Sequence, residues 1–170
     1  QKSCENAQIS DGTPHDRMSN TRVVRRRPSM TTLAGEPEAL RGFLAAIEAR
    51  QPGTFARLLK LQAAYHARGM DPIEAPFRAG LADLRPGPTR IPMISTVTGA
   101  VIAGESLDAD YWWRNVRAPV LFQPAVEHAL EQGWRAFVEL GPHATLSGLL
   151  NAILAARNTS GIVVPSLHRD

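Results

Sequence analysis

Residues 134–167 read WRAFVELGPHATLSGLLNAILAARNTSGIVVPSL, and this stretch indicates the fold class. Trp134 to Leu140 is an apolar run of strand length, and Gly141-Pro142-His143 predicts a tight turn. Ala144 to Ala156 is predicted to be a helix, and Ile162 to Leu167 is a last apolar run. A strand, a turn, a helix and a further apolar run in this order are typical of α/β proteins.

The same alternation continues towards the N-terminus. Pro37 and Glu38 suit the first turn of a helix, and apolar residues follow at the spacing of one helical face: Leu40, Phe43, Leu44 and Ile47. Short β-leaning runs at 21–24 and 30–33 are predicted to pair, and further strands are predicted at 55–61 and 91–98. Strands that alternate with helices predict an α/β domain with a mainly parallel sheet.

Residues 1–20 differ from the rest of the chain. They are polar, carry no apolar periodicity and contain scattered Ser, Asp, Gly, Thr and Pro. Such a segment buries too little apolar surface to offset the entropy lost on ordering. We therefore predict an irregular or disordered lead over residues 1–20.

Composition excludes several classes of protein. At 170 residues and 44% hydrophobic, the chain is long enough for one domain with its own core. Because no run of eighteen apolar residues occurs, a membrane span is excluded and a cytoplasmic location is expected. The single cysteine, Cys4, cannot form an internal disulfide, and no histidine spacing suggests a metal site.

The net charge of +3 and the pI near 9.6 raise the question of nucleic-acid binding. The basic residues are mostly scattered singly, and their one run, Arg25 to Arg27, has no interleaved aromatic residues. Nucleic-acid grooves combine both features, so we predict a solvated surface and no nucleic-acid partner. A mild positive field would still attract an acidic acyl-CoA or carrier protein.

Two histidines, His66 and His143, lie on predicted loops between a strand and a helix, where α/β proteins place reactive groups. An imidazole suits proton transfer near neutral pH, but the spacing does not choose between the two. Backbone N–H groups after Gly141-Pro142-His143 would also favour an anion, although any strand-turn-helix offers this. No serine has glycine two residues before it and two after it, so a nucleophile elbow is absent from these residues.

Five ordered segments then point to a family: Leu33–Leu40, Met70–Pro72, Ile91–Gly99, Asp110–Val120 and Phe137–His143. In order and spacing they resemble the C-terminal half of the acyltransferase domain of modular polyketide synthases, relatives of malonyl-CoA:acyl carrier protein transacylases. The resemblance covers about Thr31 to Leu167. It implies a large α/β-hydrolase-like subdomain with a small ferredoxin-like subdomain inserted in it. Residues 21–61 would then be part of the small subdomain, and 62–170 the C-terminal part of the large one with the following linker.

The resemblance also implies a reaction and its participants. In that family a serine takes a malonyl-type extender unit from coenzyme A and passes it to the phosphopantetheine thiol of an acyl carrier protein. Acyl-CoA is then a substrate, the phosphopantetheine belongs to the partner, and no cofactor is bound. His66 matches the family's catalytic histidine, so the resemblance favours it over His143. Asn115 matches the residue whose backbone carbonyl orients the imidazole.

Ala63, Ala64 and Tyr65 occupy the tetrapeptide, ending at the histidine, that helps set extender-unit choice in the family. The aromatic Tyr65 favours malonyl over methylmalonyl, since a ring leaves less room for an α-methyl group.

Without a serine elbow the chain is expected to be inactive alone. It would need the N-terminal acyltransferase half or neighbouring synthase domains. The alternative is a non-catalytic remnant, or a module that docks a carrier protein or a synthase. Half of an α/β sheet also predicts a dimeric, aggregation-prone or partly molten chain.

Overall fold

A computed structural model describes residues 5–10, 22–27, 30–59 and 65–167 of the chain. It contains eight strands within these ranges: β1 (Glu5–Ser10), β2 (Arg22–Arg27), β3 (Met30–Gly35), β4 (Phe55–Leu59), β5 (Met93–Ile94), β6 (Val101–Ile102), β7 (Ala136–Glu139) and β8 (Ile162–Pro165). The described helices are α1 (Pro37–Arg50), α2 (Glu74–Gly80), α3 (Ala109–Arg117), α4 (Phe122–Glu131) and α5 (Ser147–Ala156). Two 3₁₀ helices cover Arg68–Ile73 and Gly104–Ser106.

The first structural layer is a four-stranded antiparallel sheet in the order β2-β3-β1-β4, with α1 packed against it. The predicted helical face supplies the contact, because Leu40 and Ile47 are buried against Leu33 of β3. Pro37 stands in the first turn of α1, as the sequence predicts. The predicted pairing of β2 with β3 and the strand at 55–59 are also confirmed.

The irregular lead predicted for residues 1–20 is wrong for Glu5–Ser10. This segment forms β1, which pairs with β3 on one side and with β4 on the other. Its sequence, ENAQIS, has little strand propensity of its own. Two neighbouring strands satisfy its backbone hydrogen-bonding groups, and this tertiary context overrides the composition. The rest of the prediction, for residues 1–4 and 11–20, lies outside the described residues.

The second layer is built from α4, α5 and a two-stranded sheet of β7 and β8. Ala136 pairs with Ile162 and Val138 with Val164 in a parallel register. One face of this pair, with Phe137 and Val163, packs on the buried residues of the two helices: Val126, Leu130, Leu150, Ile153 and Leu154. The α/β class is confirmed. The prediction of a mainly parallel sheet is wrong for the described strands, since β7 with β8 is their one parallel pair and β5 with β6 is antiparallel.

The opposite face of the β7–β8 pair is exposed and apolar. Val138 is 64% exposed and Ile162 is 59% exposed, and Val164 of the same face is also open to solvent. An isolated parallel pair of strands is unusual, because parallel sheets are normally covered on both faces. No helix among the described residues has the length and apolar character to cross a bilayer.

We expect a polypeptide of these 170 residues to self-associate through the β7–β8 face. The double substitution Val138→Thr, Ile162→Thr keeps β-branched residues and removes apolar surface. It should raise the concentration of half-association about tenfold, since each methylene-sized group contributes roughly 0.8 kcal/mol. Sedimentation velocity over a concentration series measures this. Ile73→Thr, an exposed site on the first 3₁₀ helix, is the control. A wild-type monomer at every concentration would contradict the expectation.

Candidate active site

His66 lies in a loop with an unusual backbone conformation. Its φ is 65°, in the left-handed region that few residues other than glycine adopt. Its backbone N–H donates a hydrogen bond to the carbonyl of Val116 at 2.8 Å. Such a conformation costs free energy and persists only when surrounding contacts hold it, and it occurs most often at functional sites.

The imidazole of His66 is held by the same part of the chain. Its Nδ1 lies 2.8 Å from the carbonyl oxygen of Ala118, and the residue is half-buried. A carbonyl oxygen can only accept a hydrogen bond, so Nδ1 must carry the proton. In the neutral ring Nε2 then has the lone pair, which is the arrangement that a general base needs.

The two carbonyls belong to the C-terminal end of α3. Asp108 caps the start of this helix by accepting a hydrogen bond from the Tyr111 N–H at 2.8 Å. Tyr111 and Trp113 are buried and anchor the helix in the core. Ala118, which precedes Pro119, is extended and ends the helix. The last carbonyls of a helix have no partner within it, so they are available to other groups.

The carbonyl that the structure places at Nδ1 differs from the one that the resemblance implies, and the role of Asn115 stays a prediction. The resemblance implies that Asn115 supplies it, and Asn115 lies half-buried in the last turn of α3. The acceptor that the structure gives for Nδ1 is Ala118, three residues further along the chain. Sequence spacing does not reveal this shift, because it depends on where the helix ends and turns.

A second contact fixes the loop against the first sheet. Ala67 is 5% exposed and packs on Ala34 of β3, which is 1% exposed. Both are small residues, so the loop approaches the sheet closely. His66 therefore lies between the four-stranded sheet and the end of α3.

Of the predicted selectivity residues, the structure describes Tyr65. Its side chain is 50% exposed, and its ring centroid lies 6.5 Å from that of His66, with the rings tilted by 50°. An exposed ring at this distance can contact a substrate that approaches the imidazole. Ala63 and Ala64 lie outside the described residues.

His143, the other candidate, is in a different environment. It is exposed, and it lines a cavity of about 560 Å³ between α4, α5 and the end of β7. The backbone N–H groups after the turn at 141–143, which would favour an anion, already donate hydrogen bonds to the carboxylate of Glu139. Oε1 of Glu139 accepts hydrogen bonds from the N–H groups of Thr145 at 2.7 Å and Leu146 at 2.8 Å. Oε2 accepts from the N–H of Ser147 at 2.8 Å.

Glu139 is a buried carboxylate that the sequence alone does not single out. It is 7% exposed, and the hydroxyls of Thr145 and Ser147 add hydrogen bonds at 3.0 and 2.7 Å. The Ser147 hydroxyl is the largest influence on its pKa, and burial opposes it. The N–H of Leu146 and both groups of Thr145 add to the lowering, to about 2. Glu139 is therefore an ionised cap for α5, and its role is structural. Thr145 and Ser147 are residue types that favour a helix start, but their spacing from Glu139 is not diagnostic.

Among the residues that the structure describes, no three His, Cys, Asp or Glu side chains lie close enough together to hold a metal ion. The geometry at His66 suits an acid–base role, because contacts to the end of α3 hold the residue in one orientation. It has a proton donor fixed on a carbonyl and a lone pair on the other ring nitrogen. None of the serines of these 170 residues stands in a Gly-x-Ser-x-Gly segment.

Comparison with known proteins identifies the family. Residues 15–170 match the family model of the acyl transferase domain. The chain belongs to the acyl transferase domain family. This confirms the resemblance on which the assignment of His66 depends, while the role of His66 itself stays a prediction.

The relatives of this acyl transferase domain include polyketide synthases. The chain is 39% identical over 142 residues to the spectinabilin polyketide synthase system protein NorC of Streptomyces orinoci. It is 38% identical over 145 residues to the mycoketide-CoA synthase of Mycobacterium tuberculosis. Each match covers 84% of this chain but only 6% and 3%, respectively, of the relative's length.

Solved acyltransferase structures have the same fold. The acyltransferase domain from module 8 of the salinomycin polyketide synthase superposes with a TM-score of 0.91 at 28% identity. That match covers 99% of this chain and 41% of the other. A loading acyltransferase from the avermectin modular polyketide synthase gives a TM-score of 0.84 at 29% identity, covering 99% of this chain and 55% of the other. The chain thus spans about half or less of these solved acyltransferases.

Proposed function

We propose that the chain is the base-bearing C-terminal portion of a polyketide synthase acyltransferase, which moves a malonyl-type extender unit from coenzyme A to an acyl carrier protein. The observation that carries this proposal is the 2.8 Å contact between His66 Nδ1 and the Ala118 carbonyl. It fixes the tautomer in which Nε2 accepts a proton. Membership of the acyl transferase family supplies the type of reaction.

In the first half-reaction, Nε2 of His66 takes the proton of a serine hydroxyl as its oxygen attacks the thioester carbonyl carbon. The C–S bond then breaks, and the imidazolium returns the proton to the coenzyme A sulfur. In the second half-reaction, His66 takes the proton of the carrier's phosphopantetheine thiol as the sulfur attacks the acyl-serine. The C–O bond breaks and the serine recovers its proton. The Ala118 carbonyl stabilises the imidazolium in both halves.

The serine must come from residues other than these 170, because none of their serines stands in a Gly-x-Ser-x-Gly segment. We propose that these residues alone do not turn over and that an N-terminal acyltransferase portion, or neighbouring synthase domains, completes the site. On this proposal residues 21–61 belong to the small ferredoxin-like subdomain. Residues 62–170 belong to the large α/β-hydrolase-like subdomain.

The proposed acyl unit is malonyl rather than methylmalonyl. The half-exposed ring of Tyr65 lies beside His66, and we propose that it narrows the space that an α-methyl group would occupy. The proposal needs no bound cofactor. Acyl-CoA is the donor, and the acyl carrier protein brings the phosphopantetheine thiol.

The test is complementation. This chain is mixed with a serine-bearing N-terminal portion of a polyketide synthase acyltransferase, labelled malonyl-CoA and a phosphopantetheinylated carrier protein. We expect label on the carrier with both portions present and none with either alone. Methylmalonyl-CoA in a parallel reaction tests the selectivity, and a partner with its serine replaced by alanine is the control.

Two results would contradict the proposed reaction, and a third would contradict the proposed selectivity. Label on the carrier with this chain as the sole protein would show a nucleophile within these residues. Carrier binding without transfer in any mixture would favour the alternative, a docking module without catalysis. Transfer of methylmalonyl at a rate equal to malonyl would remove the selectivity assigned to Tyr65.

A further inference from the structure

We propose that the ion pair between Asp71 and Arg117 is a positioning element that holds the His66 imidazole in its base-competent tautomer. Arg117 Nε contacts Oδ1 of Asp71, and Nη2 of Arg117 lies 3.4 Å from Oδ2. The influence that we infer passes through the backbone groups that hold His66. The catalytic meaning of the inference rests on the function proposed above, but the geometry does not.

Arg117 lies between the two groups that hold His66. The backbone N–H of His66 donates to the Val116 carbonyl, and its Nδ1 lies at the Ala118 carbonyl, both at 2.8 Å. Arg117 is therefore the residue whose placement sets both acceptors at once. A rotation of its backbone would move one carbonyl or the other away from the histidine.

Asp71 connects the ion pair back to the histidine loop. It lies five residues after His66, in the 3₁₀ helix Arg68–Ile73. The N–H of Met70 donates to the Ala67 carbonyl at 3.1 Å, and both residues are buried. The segment from His66 to Asp71 is thus compact. His66 is therefore linked to the end of α3 in two ways. Its own hydrogen-bonding contacts reach the two carbonyls, and the chain from His66 to Asp71 reaches Arg117 through the ion pair.

The chemistry of the pair suits orientation. A guanidinium presents its N–H groups in a rigid plane, so two contacts to one carboxylate fix direction as well as distance. The Arg117 side chain is 18% exposed, while that of Asp71 is 50% exposed. Such a half-open pair contributes little to global stability. Its effect should therefore appear in local geometry rather than in the unfolding temperature.

A second ion pair on the same helix provides a matched control. Arg78 of α2 contacts Asp110 in the first turn of α3, and its Nε also lies 2.8 Å from Glu74. Asp110 is seven residues before Arg117, roughly 10 Å along the helix. It ties α2 to α3, as the Asp71 pair ties the 3₁₀ helix to α3, but it is far from the two carbonyls that hold His66.

The experiment records the ¹⁵N shifts of the His66 imidazole in this chain, with the variants Asp71→Asn, Arg117→Lys and the control Asp110→Asn. We expect wild type and the control to show the distinct Nδ1–H and Nε2 signals of one tautomer. In Asp71→Asn and Arg117→Lys the two shifts should move towards each other as the tautomers average. Asp71→Glu keeps the carboxylate and should recover most of the separation. Circular dichroism verifies that each variant is folded.

A second readout uses the complemented acyltransferase. Asp71→Asn and Arg117→Lys should lower kcat for malonyl transfer about 10- to 100-fold with little change in KM, as expected when a catalytic group is misplaced. Unchanged imidazole shifts in both variants would overturn the inference, whatever the transfer assay shows. Shifts that move in a chain that never complements transfer would refute the proposed function and leave the positioning role intact.

Discussion

Replacing His66 with glutamine should lower malonyl transfer by the complemented acyltransferase about 100- to 10,000-fold, the usual contribution of a positioned acid–base group. Glutamine is of similar size, and its amide N–H can donate to the Ala118 carbonyl as the imidazole does. The loop should therefore keep its shape while losing the group that exchanges a proton. The measurement is the initial rate of label transfer to the carrier protein.

The matched control is His143→Gln. His143 is exposed and lies on the turn after β7, so this substitution should leave the rate within about twofold of wild type. Carrier-protein affinity, measured by titration, should be unchanged in both variants. If His66→Gln kept most of the wild-type rate, the base would have to be sought elsewhere, and His143→Gln would show whether the other loop supplies it.

The second large effect is expected at Glu139. Its carboxylate accepts five hydrogen bonds from residues 145–147, which lead into α5, and its pKa is lowered from 4.5 to about 2. A carboxyl whose folded pKa is depressed stabilises the fold in its ionised form. This stabilisation is fully present above pH 4.5 and is lost as the pH falls towards 2.

Glu139→Gln removes the negative charge and leaves one side-chain oxygen, instead of two, to accept hydrogen bonds from residues 145–147. We expect the midpoint of thermal unfolding to fall by about 5 °C at pH 7. The difference between variant and wild type should shrink as the pH is lowered from 4.5 to 2, because wild-type Glu139 becomes protonated as well. Unfolding monitored by circular dichroism at several pH values measures both effects.

Glu131→Gln is the control for the pH experiment. Glu131 is on the neighbouring helix α4, and its exposed side chain lies 3.4 Å from Arg157. An exposed pair of this kind contributes little, so its substitution should shift unfolding by less than about 1 °C at any pH. A Glu139→Gln deficit of equal size at pH 3 and pH 7 would show that the charge is not the source of the stabilisation.

The parts of the fold that the sequence predicts well are those with strong local signals. Pro37 and the apolar spacing from Leu40 to Ile47 define α1. The strand β1 could not be predicted, because ENAQIS is mostly polar and becomes a strand only between β3 and β4. Long-range pairing of this kind leaves no periodic trace in the segment itself.

The candidate site also has parts that the sequence predicts and parts that depend on the tertiary structure. The resemblance selects His66, whereas loop position alone leaves His66 and His143 equal. The acceptor at Ala118 depends on how α3 ends before Pro119, and a motif comparison reports sequence positions rather than the directions of carbonyls. The sequence does not single out Glu139, because its partners at 145–147 belong to the next element and a tertiary cap has no fixed spacing.

The two hydrogen-bonding contacts that hold His66 join it to Val116 and Ala118, about fifty positions away in the sequence. All three residues lie within these 170 residues. On the function proposed above, the contacts that orient His66 form before any serine is present, so an N-terminal portion would supply the serine hydroxyl and the remaining groups that bind the acyl thioester. On that proposal, dividing the acyltransferase into two portions would slow the assembly of the active site but would not change the orientation of His66. Once the two portions meet, the rate per assembled molecule should equal that of an undivided acyltransferase.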